Sequence, residues 1–413
     1  MRVFYNFILS IAGFLLSIIA LFHKKIKLFI EGRKETFTKL EAIRNTENII
    51  WFHAASLGEF EQGRPVIESF KEKFPNYKIV LSFFSPSGYE VRKEYELADV
   101  VCYLPLDTKN NVQHFLDLVK PKMAVFIKYE FWPNYLKGLQ KRNIPTILIS
   151  GIFRNDQIFF KNYGGFMRGA LKTFDHFFVQ DDASLELLKK IKLNNVSISG
   201  DTRFDRVRAI LEQDNHLDFI TEFQDHQYTI VAGSTWKEDE EYLVNYINND
   251  ALTNTKFIIA PHNINAKDIE NLQKSIQKST VLYSSKAGKN LSEFQVLIID
   301  AIGLLTKIYS AASMAYVGGG FGKGGVHNIL EPATFGVPIV IGPVFDKYKE
   351  VVDLVALKSC LVVSDQETFS TTFTMIKKDE VFRARLGEIN QEFIQNNVGA
   401  TKMIMNYIQK KLD

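Results

Sequence analysis

Beyond residue 45, apolar residues come in short unbroken runs separated by longer amphipathic stretches. Six runs (48–54, 78–84, 123–129, 145–151, 176–180 and 196–200) precede residue 205, and six more (228–234, 256–261, 296–300, 314–320, 338–343 and 360–364) follow residue 227. Short apolar runs without polar alternation suit parallel strands buried on both faces. The stretches between them, such as 64–74 and 182–193, carry the pattern of crossover helices. Repeated strand–helix–strand units predict an α/β protein of two doubly wound, Rossmann-like parallel sheets. The expected organisation is a membrane anchor with basic flank at 1–30, a first domain at 31–204, a polar linker at 205–227 and a second domain at 228–376. A last helix at 377–413 is expected to fold back on the first domain. In such folds ligands bind beyond the carboxyl ends of the strands, and the cleft between the two domains is the expected active site.

The start of the chain breaks this pattern. Val3 to Phe22 carry no charge, and only Asn6, Ser10 and Ser17 are clear polar breaks. At about 1.5 Å per residue this run crosses the roughly 30 Å hydrocarbon core of a bilayer. Lys24, Lys25, Lys27, Arg33 and Lys34 follow it, whereas only Arg2 precedes it. This bias places the body on the cytoplasmic side. A cleaved signal peptide fits less well, because the apolar run is too long and lacks a small-x-small cleavage site. The expectation is a single anchor, or a deeply inserted interfacial helix.

Composition adds limits. The chain has 413 residues, 50 Lys+Arg against 47 Asp+Glu, and 2 Cys. A formal charge of +3 gives no basis for nucleic-acid binding. Cys102 and Cys360 form no disulfide framework. The eight His are dispersed, with no H-E-x-x-H, so no protein-built metal site is expected. The unusual count is 34 Phe; core packing is its default use, with part left for contact with acyl chains.

Candidate chemistry sits at the predicted strand exits. Ser56-Leu57-Gly58-Glu59 fits the capping box S-x-x-E, so Glu59 is either a helix cap or a carboxylate placed as a general base. Glu130, followed by Phe131-Trp132-Pro133-Asn134, is either a buried partner for a base or a substrate contact. Ser234 and Thr235 can cap the next helix, with Glu238 in its first turn, or meet a phosphate. The strongest cluster is Gly318–Pro332: six glycines in eight residues, then His327, Asn328 and Glu331 at a helix start. That combination offers main-chain amides and a helix dipole for an anionic group and a carboxylate for sugar hydroxyls. The Walker A pattern fails there. Gly320, Gly322 and Gly325 satisfy G-x-G-x-x-G, but in the fourth strand of their domain, where a dinucleotide fingerprint is not expected.

These segments together resemble one family. His53–Glu59 (H-A-x-S-x-G-E), Glu130–Asn134, Gly200–Asp205 (GDTRFD), Ala232–Thr235, Gly319–Pro332 and Gly336–Pro343 are similar, in order and spacing, to the 3-deoxy-D-manno-octulosonic acid (Kdo) transferases of Gram-negative lipopolysaccharide synthesis. The resemblance implies a GT-B glycosyltransferase with CMP-Kdo as donor and a lipid A precursor as acceptor. It also implies a place on the inner membrane, no cofactor and no metal. It makes Glu59 the catalytic base and Glu130 a second carboxylate. Ser234, Thr235, His262, Gly319, Gly320, Asn328 and Glu331 would hold the CMP moiety, beside the imidazole of His327. Arg154 and Arg203 match basic positions for the Kdo carboxylate or acceptor phosphates. Two departures stand out: Ala260 replaces the Arg of the family's Pro-Arg-His, as Ala260-Pro261-His262, and Lys128 replaces an acidic residue two positions before Glu130. The competing readings are a GT-B enzyme using a UDP- or GDP-sugar, and a non-catalytic membrane-anchored binding protein.

Overall fold

The computed structural model describes residues 2–413 and divides into two compact units, 1–205 with 398–413, and 206–397. The first holds a parallel sheet of β1 (Ile49–Ala54), β2 (Lys78–Phe83), β3 (Val100–Tyr103), β4 (Met123–Ile127), β5 (Thr146–Gly151), β6 (His176–Val179) and β7 (Val196–Ile198) in the order β3-β2-β1-β4-β5-β6-β7. The second holds β8 (Tyr228–Thr235), β9 (Thr255–Pro261), β10 (Thr280–Leu282), β11 (Val296–Ile298), β12 (Met314–Val317), β13 (Ile339–Ile341) and β14 (Cys360–Val362), ordered β10-β11-β9-β8-β12-β13-β14. All twelve expected strands form. The two that the pattern missed, β3 and β10, are both edge strands, short and flanked on one side only.

Helices cover both faces of each sheet. Along β1, Ile49 and Trp51 enter one core and Ile50, Phe52 and Ala54 the other. That is why the strand reads as an unbroken apolar run. In the second unit, Ile230 and Ala232 face one core and Val231 the other.

Three boundaries differ from expectation. The polar stretch 205–227 is not an open linker: the Thr202–Ile210 helix contains the division between units, and the Asp218–Gln224 helix buries Ile220 and Phe223 in the second core. The tail is two helices, Glu380–Asn397 in the second unit and Ala400–Leu412 in the first. Only the latter folds back, placing Ile404, Met405 and Ile408 against the first sheet. Its start is held by Asp205 of the GDTRFD segment, which accepts from the Gly399 and Thr401 amides at 2.5 and 2.6 Å. A carboxylate there satisfies orphan N–H groups and complements the dipole.

The N-terminal expectation of a spanning anchor is corrected. Residues Arg2–Ile19 are helical, but among the described residues no helix is long and apolar enough to cross a membrane. This helix docks by its polar side. The Tyr5 hydroxyl donates to Asp107 Oδ2 at 2.9 Å, and Asn6 Oδ1 accepts from Asn134 Nδ2 at 2.8 Å. Gly13 faces Leu106. Val3, Phe4, Phe7, Ile8, Phe14 and Leu15 lie on the opposite, exposed side. Arg33 also leaves the expected basic flank. It is buried, its guanidinium 3.4 Å from the Phe29 ring centroid, and it donates to the carbonyls of Leu104, Phe29 and Phe84. Burial lowers its pKa to about 9.

Candidate active site

On the first unit, chemistry gathers at the carboxyl ends of β1 and β4. Ser56 precedes the Leu57–Lys73 helix, but its hydroxyl accepts from no helix amide; it donates to the Glu59 carboxylate. Glu59 is therefore not spent as a helix cap. It stays half-buried, with its neighbour Gly58 exposed. Its charge reaches Tyr129: burial raises that phenol above its usual value, Arg154 pulls it back, and Glu59 pushes it up again. The Arg154 guanidinium lies 6.0 Å from the Tyr129 ring centroid and is exposed. Glu59, Tyr129 and Arg154 thus share one neighbourhood. Arg203, by contrast, is ion-paired with Asp201 at 2.7 Å, and Gln62 also donates to that carboxylate.

Glu130 borders a cavity of ≈ 480 Å³ whose wall includes Phe84, Tyr129, Phe131, Trp132 and Phe159. Its Oε2 accepts from Trp132 Nε1 and contacts His53 Nε2, each at 2.7 Å. Pro133 begins the next helix, where its missing N–H costs nothing, and Asp107 accepts from the Asn134 and Tyr135 amides at 2.9 and 2.8 Å. The same Asp107 holds Tyr5, so the N-terminal helix is tied to the segment that carries Glu130.

On the second unit, Ser234 has φ +53 at the end of β8, where the register with β9 shifts. The Thr235 hydroxyl donates to Glu240, and the His262 amide donates to the Thr235 carbonyl. Trp236 is stacked on His262 at 4.5 Å, His262 on His327 at 4.4 Å, and Trp236 Nε1 donates to His327 Nε2 at 2.7 Å. With Nε2 accepting, the ring proton of neutral His327 is on Nδ1. Burial lowers the His327 pKa, and His262 lowers it further. Glu331 accepts from Thr306 Oγ1 at 2.7 Å and from Asn328 Nδ2 at 3.0 Å, so these residues converge as expected.

The glycine loop works differently from the expectation. A Cβ on Gly318 would lie 2.5 Å from the Ser234 carbonyl oxygen, and one on Gly320 would lie 2.6 Å from the Gly342 amide nitrogen. These glycines let loops touch backbone to backbone. Gly319, at φ +93, donates its amide to Asp239 Oδ2 at 2.8 Å and so does not offer that amide to an anion. The helix after the loop is only Leu330–Thr334, too short for a substantial dipole. Asp239 was not singled out in the sequence. Fully buried, it also accepts from the Trp236 amide and the Tyr316 hydroxyl, and so ties the β8 exit to the β12 exit. Its only sequence signal is a place among four acidic residues after Lys237, of which Glu238 looked equally able to cap. A cavity of ≈ 680 Å³ shares Thr235 and Trp236 but is rimmed by Glu240, Glu241 and Asp268, which suits no phosphate. Among the described residues no cluster of three His, Cys, Asp or Glu forms a metal-ligand set.

Comparison with known proteins now bears on this arrangement. The family model for 3-deoxy-D-manno-octulosonic-acid transferase (kdotransferase) matches residues 31–206. The 3-deoxy-D-manno-octulosonic acid transferase of Aquifex aeolicus is 28% identical over 324 residues, 78% of this chain and 83% of its own. That of Chlamydia muridarum is 25% identical over 400 residues, 94% and 92% of the two chains. The chain belongs to the Kdo transferase family. Among solved structures, the UDP-GlcNAc 2-epimerase of Neisseria meningitidis matches with TM-score 0.60 at 15% identity, over 88% of this chain and 100% of its own. Acinetobacter baumannii MurG matches with TM-score 0.53 at 11% identity, over 88% and 99%. These two likenesses concern the fold, which is the GT-B arrangement of two Rossmann-like domains. The Kdo transferase profile covers β1 to β7 and so includes Glu59 and Glu130.

Proposed function

We propose that this Kdo transferase-family chain moves Kdo from CMP-Kdo to a lipid A precursor, an acylated glucosamine disaccharide. The observation that carries the reading is Glu59: half-buried at a strand exit, uncommitted to helix capping, and held by the Ser56 hydroxyl beside Tyr129 and Arg154. In the proposed step the acceptor hydroxyl gives its proton to Glu59 while its oxygen bonds to the ketosidic carbon of Kdo. The bond from that carbon to the phosphate oxygen breaks on the opposite face, and CMP leaves with the electron pair, inverting the centre. Glu130 serves as a second carboxylate toward the acceptor. Arg154 offers a cation to the Kdo carboxylate or an acceptor phosphate, and Arg203 does so if it leaves Asp201.

Ser234, Thr235, His262, Gly319, Gly320, His327, Asn328 and Glu331 form the proposed donor site, with Glu331 accepting from ribose hydroxyls. The leaving group is a monophosphate, so the proposed step uses no metal ion or cofactor. The exposed apolar side of the Arg2–Ile19 helix supports attachment to the cytoplasmic face of the inner membrane, with the helix lying in the interface rather than spanning it. Calorimetric titration with CMP, UDP and GDP tests the donor class. Binding of CMP alone is expected, and tight binding of UDP alone would overturn the reading. Transfer that persists undiminished in excess chelator is expected for the metal-free step.

A further inference from the structure

Behind Glu130 runs a hydrogen-bond chain that the reaction as proposed does not use. His53, in β1, is fully buried. Its Nε2 lies 2.7 Å from Glu130 Oε2, and its Nδ1 lies 2.8 Å from Ser82 Oγ and 3.0 Å from the Ser82 carbonyl oxygen. Ser82, also fully buried, comes from β2, directly opposite His53 in the parallel register. Trp51, two residues before His53 on the same face of β1, donates Nε1–H to Ser82 Oγ at 2.7 Å. Serine, histidine and glutamate thus line up, though no sequence order announced it. The buried hydroxyl cannot reach a substrate, so this line-up is no nucleophilic triad.

The donors and acceptors of the chain agree in one direction only. Ser82 Oγ receives the Trp51 proton and must place its own. The alternatives are His53 Nδ1 at 2.8 Å and the Phe52 carbonyl at 3.5 Å, and the nearer acceptor is favoured. With Nδ1 accepting, the ring proton of neutral His53 sits on Nε2 and points at Glu130 Oε2, which Trp132 Nε1–H also meets. The other tautomer would give the Nδ1 proton to the Ser82 carbonyl and leave bare Nε2 facing a carboxylate oxygen. Buried acceptors set against each other are costly.

We propose that His53 is a positioning residue for the transfer, held by Ser82 as the neutral Nε2–H tautomer so that it fixes Glu130 by its Oε2. Two rigid donors, one from β1 and one from Trp132, then occupy Oε2. Oε1 is left as the oxygen that meets the acceptor at the aromatic cavity. The kinetic consequence rests on the transferase reading of this site; the tautomer does not.

The test has a spectroscopic and a kinetic arm, both on the full chain. In ¹⁵N-histidine-labelled protein at neutral pH, the His53 ring is expected to show a protonated Nε2 and a bare Nδ1. Ser82→Ala removes the hydroxyl and is expected to move the proton to Nδ1, toward the Ser82 carbonyl. A wild-type ring protonated at Nδ1, or at both nitrogens, would overturn the proposal. In transfer assays, His53→Leu is expected to lower kcat by about 10- to 100-fold, the scale of a small misplacement of a reacting group, with KM for CMP-Kdo within about 3-fold. His53→Gln keeps an N–H donor near the Nε2 position and is expected to recover most of that loss. Equal losses in Leu and Gln variants that retain native unfolding transitions would overturn the positioning role. Should His53→Leu not fold, the Ser82→Ala variant decides: kcat reduced together with the flipped tautomer supports the proposal, and unchanged kcat with a flipped tautomer overturns it. Wild-type protein with the Nε2–H tautomer but no Kdo transfer would sink the transferase reading alone.

Discussion

Removing the Asp239 carboxylate should unfasten the second unit's strand exits. Asp239→Ala leaves the Trp236 amide, the Gly319 amide and the Tyr316 hydroxyl without their acceptor, bonds now of 2.9, 2.8 and 2.7 Å. The Gly319 amide and Tyr316 are buried. Each buried donor left unpaired costs about 1–3 kcal/mol, more where the lost acceptor was charged. Two such groups, with a partial contribution from Trp236, sum to roughly 3–6 kcal/mol. That approaches the whole stability of an ordinary domain, about 5–15 kcal/mol. Asp239→Asn keeps one carbonyl oxygen for the two amides, while the Tyr316 hydroxyl can rotate to accept from the new amide, so its cost should be only about 1–2 kcal/mol. Burial and the Asp239 charge hold the Tyr316 phenol far above its usual pKa, so the hydroxyl stays protonated and available for that rotation. The assay is urea unfolding followed by hydrogen exchange in residues 314–340, with CMP affinity measured alongside. Asp239→Ala with a midpoint and CMP affinity equal to wild type would refute the reasoning.

Gly320→Ala should destabilise by about 1–3 kcal/mol, because the new Cβ meets the unyielding Gly342 backbone, whereas Gly324→Ala, with no atom within 4 Å, should be neutral; thermal unfolding of the pair compares them directly. Tyr5→Phe with Asn6→Ala should free the N-terminal helix at a cost of about 1–2 kcal/mol and speed hydrogen exchange around residues 130–136, whereas Phe14→Glu should abolish binding to anionic vesicles and leave that exchange unchanged. The third prediction concerns pH. The folded-state pKa of His327 is depressed, so its contribution is complete above the ordinary histidine value of about 6.5 and is lost as pH falls through the lower folded value, when Nε2 gains a proton and can no longer accept from Trp236. CMP affinity and second-unit stability should therefore decline together on acidification, and His327→Gln, which keeps an acceptor, should flatten the profile.

The α/β class and twelve of fourteen strands were legible because a strand buried on both faces leaves an unbroken apolar run, as Ile49–Ala54 does. β3 and β10, at sheet edges, leave too short a run to stand out. The N-terminal segment was legible as apolar but not as docked. Tyr5 and Asn6 read as isolated polar breaks until the fold brought Asp107 and Asn134 to them. The same limit applies at the site. Glu59, Glu130, Asn328 and Glu331 announced themselves by motif, but the partners that hold them are non-local: His53 acts on Glu130 across 77 positions and Thr306 on Glu331 across 25. Asp205 looked like part of a ligand motif, yet it caps a helix nearly 200 residues later. The glycine loop looked like an anion cradle because glycine permits close approach to anything; here the close neighbour is another stretch of the protein's own backbone.

The central claim is that Glu59 removes the acceptor proton in Kdo transfer. It is tested most directly by incubating the full-length protein with CMP-Kdo and a tetra-acylated lipid A precursor and weighing the lipid product by mass spectrometry, beside Glu59→Gln. The account predicts a product heavier by one or more Kdo residues, with the variant slowed by about 10²- to 10⁴-fold, the scale of general-base catalysis. Wild-type protein that leaves the precursor unmodified, or a Glu59→Gln variant that transfers Kdo at the wild-type rate, would contradict it.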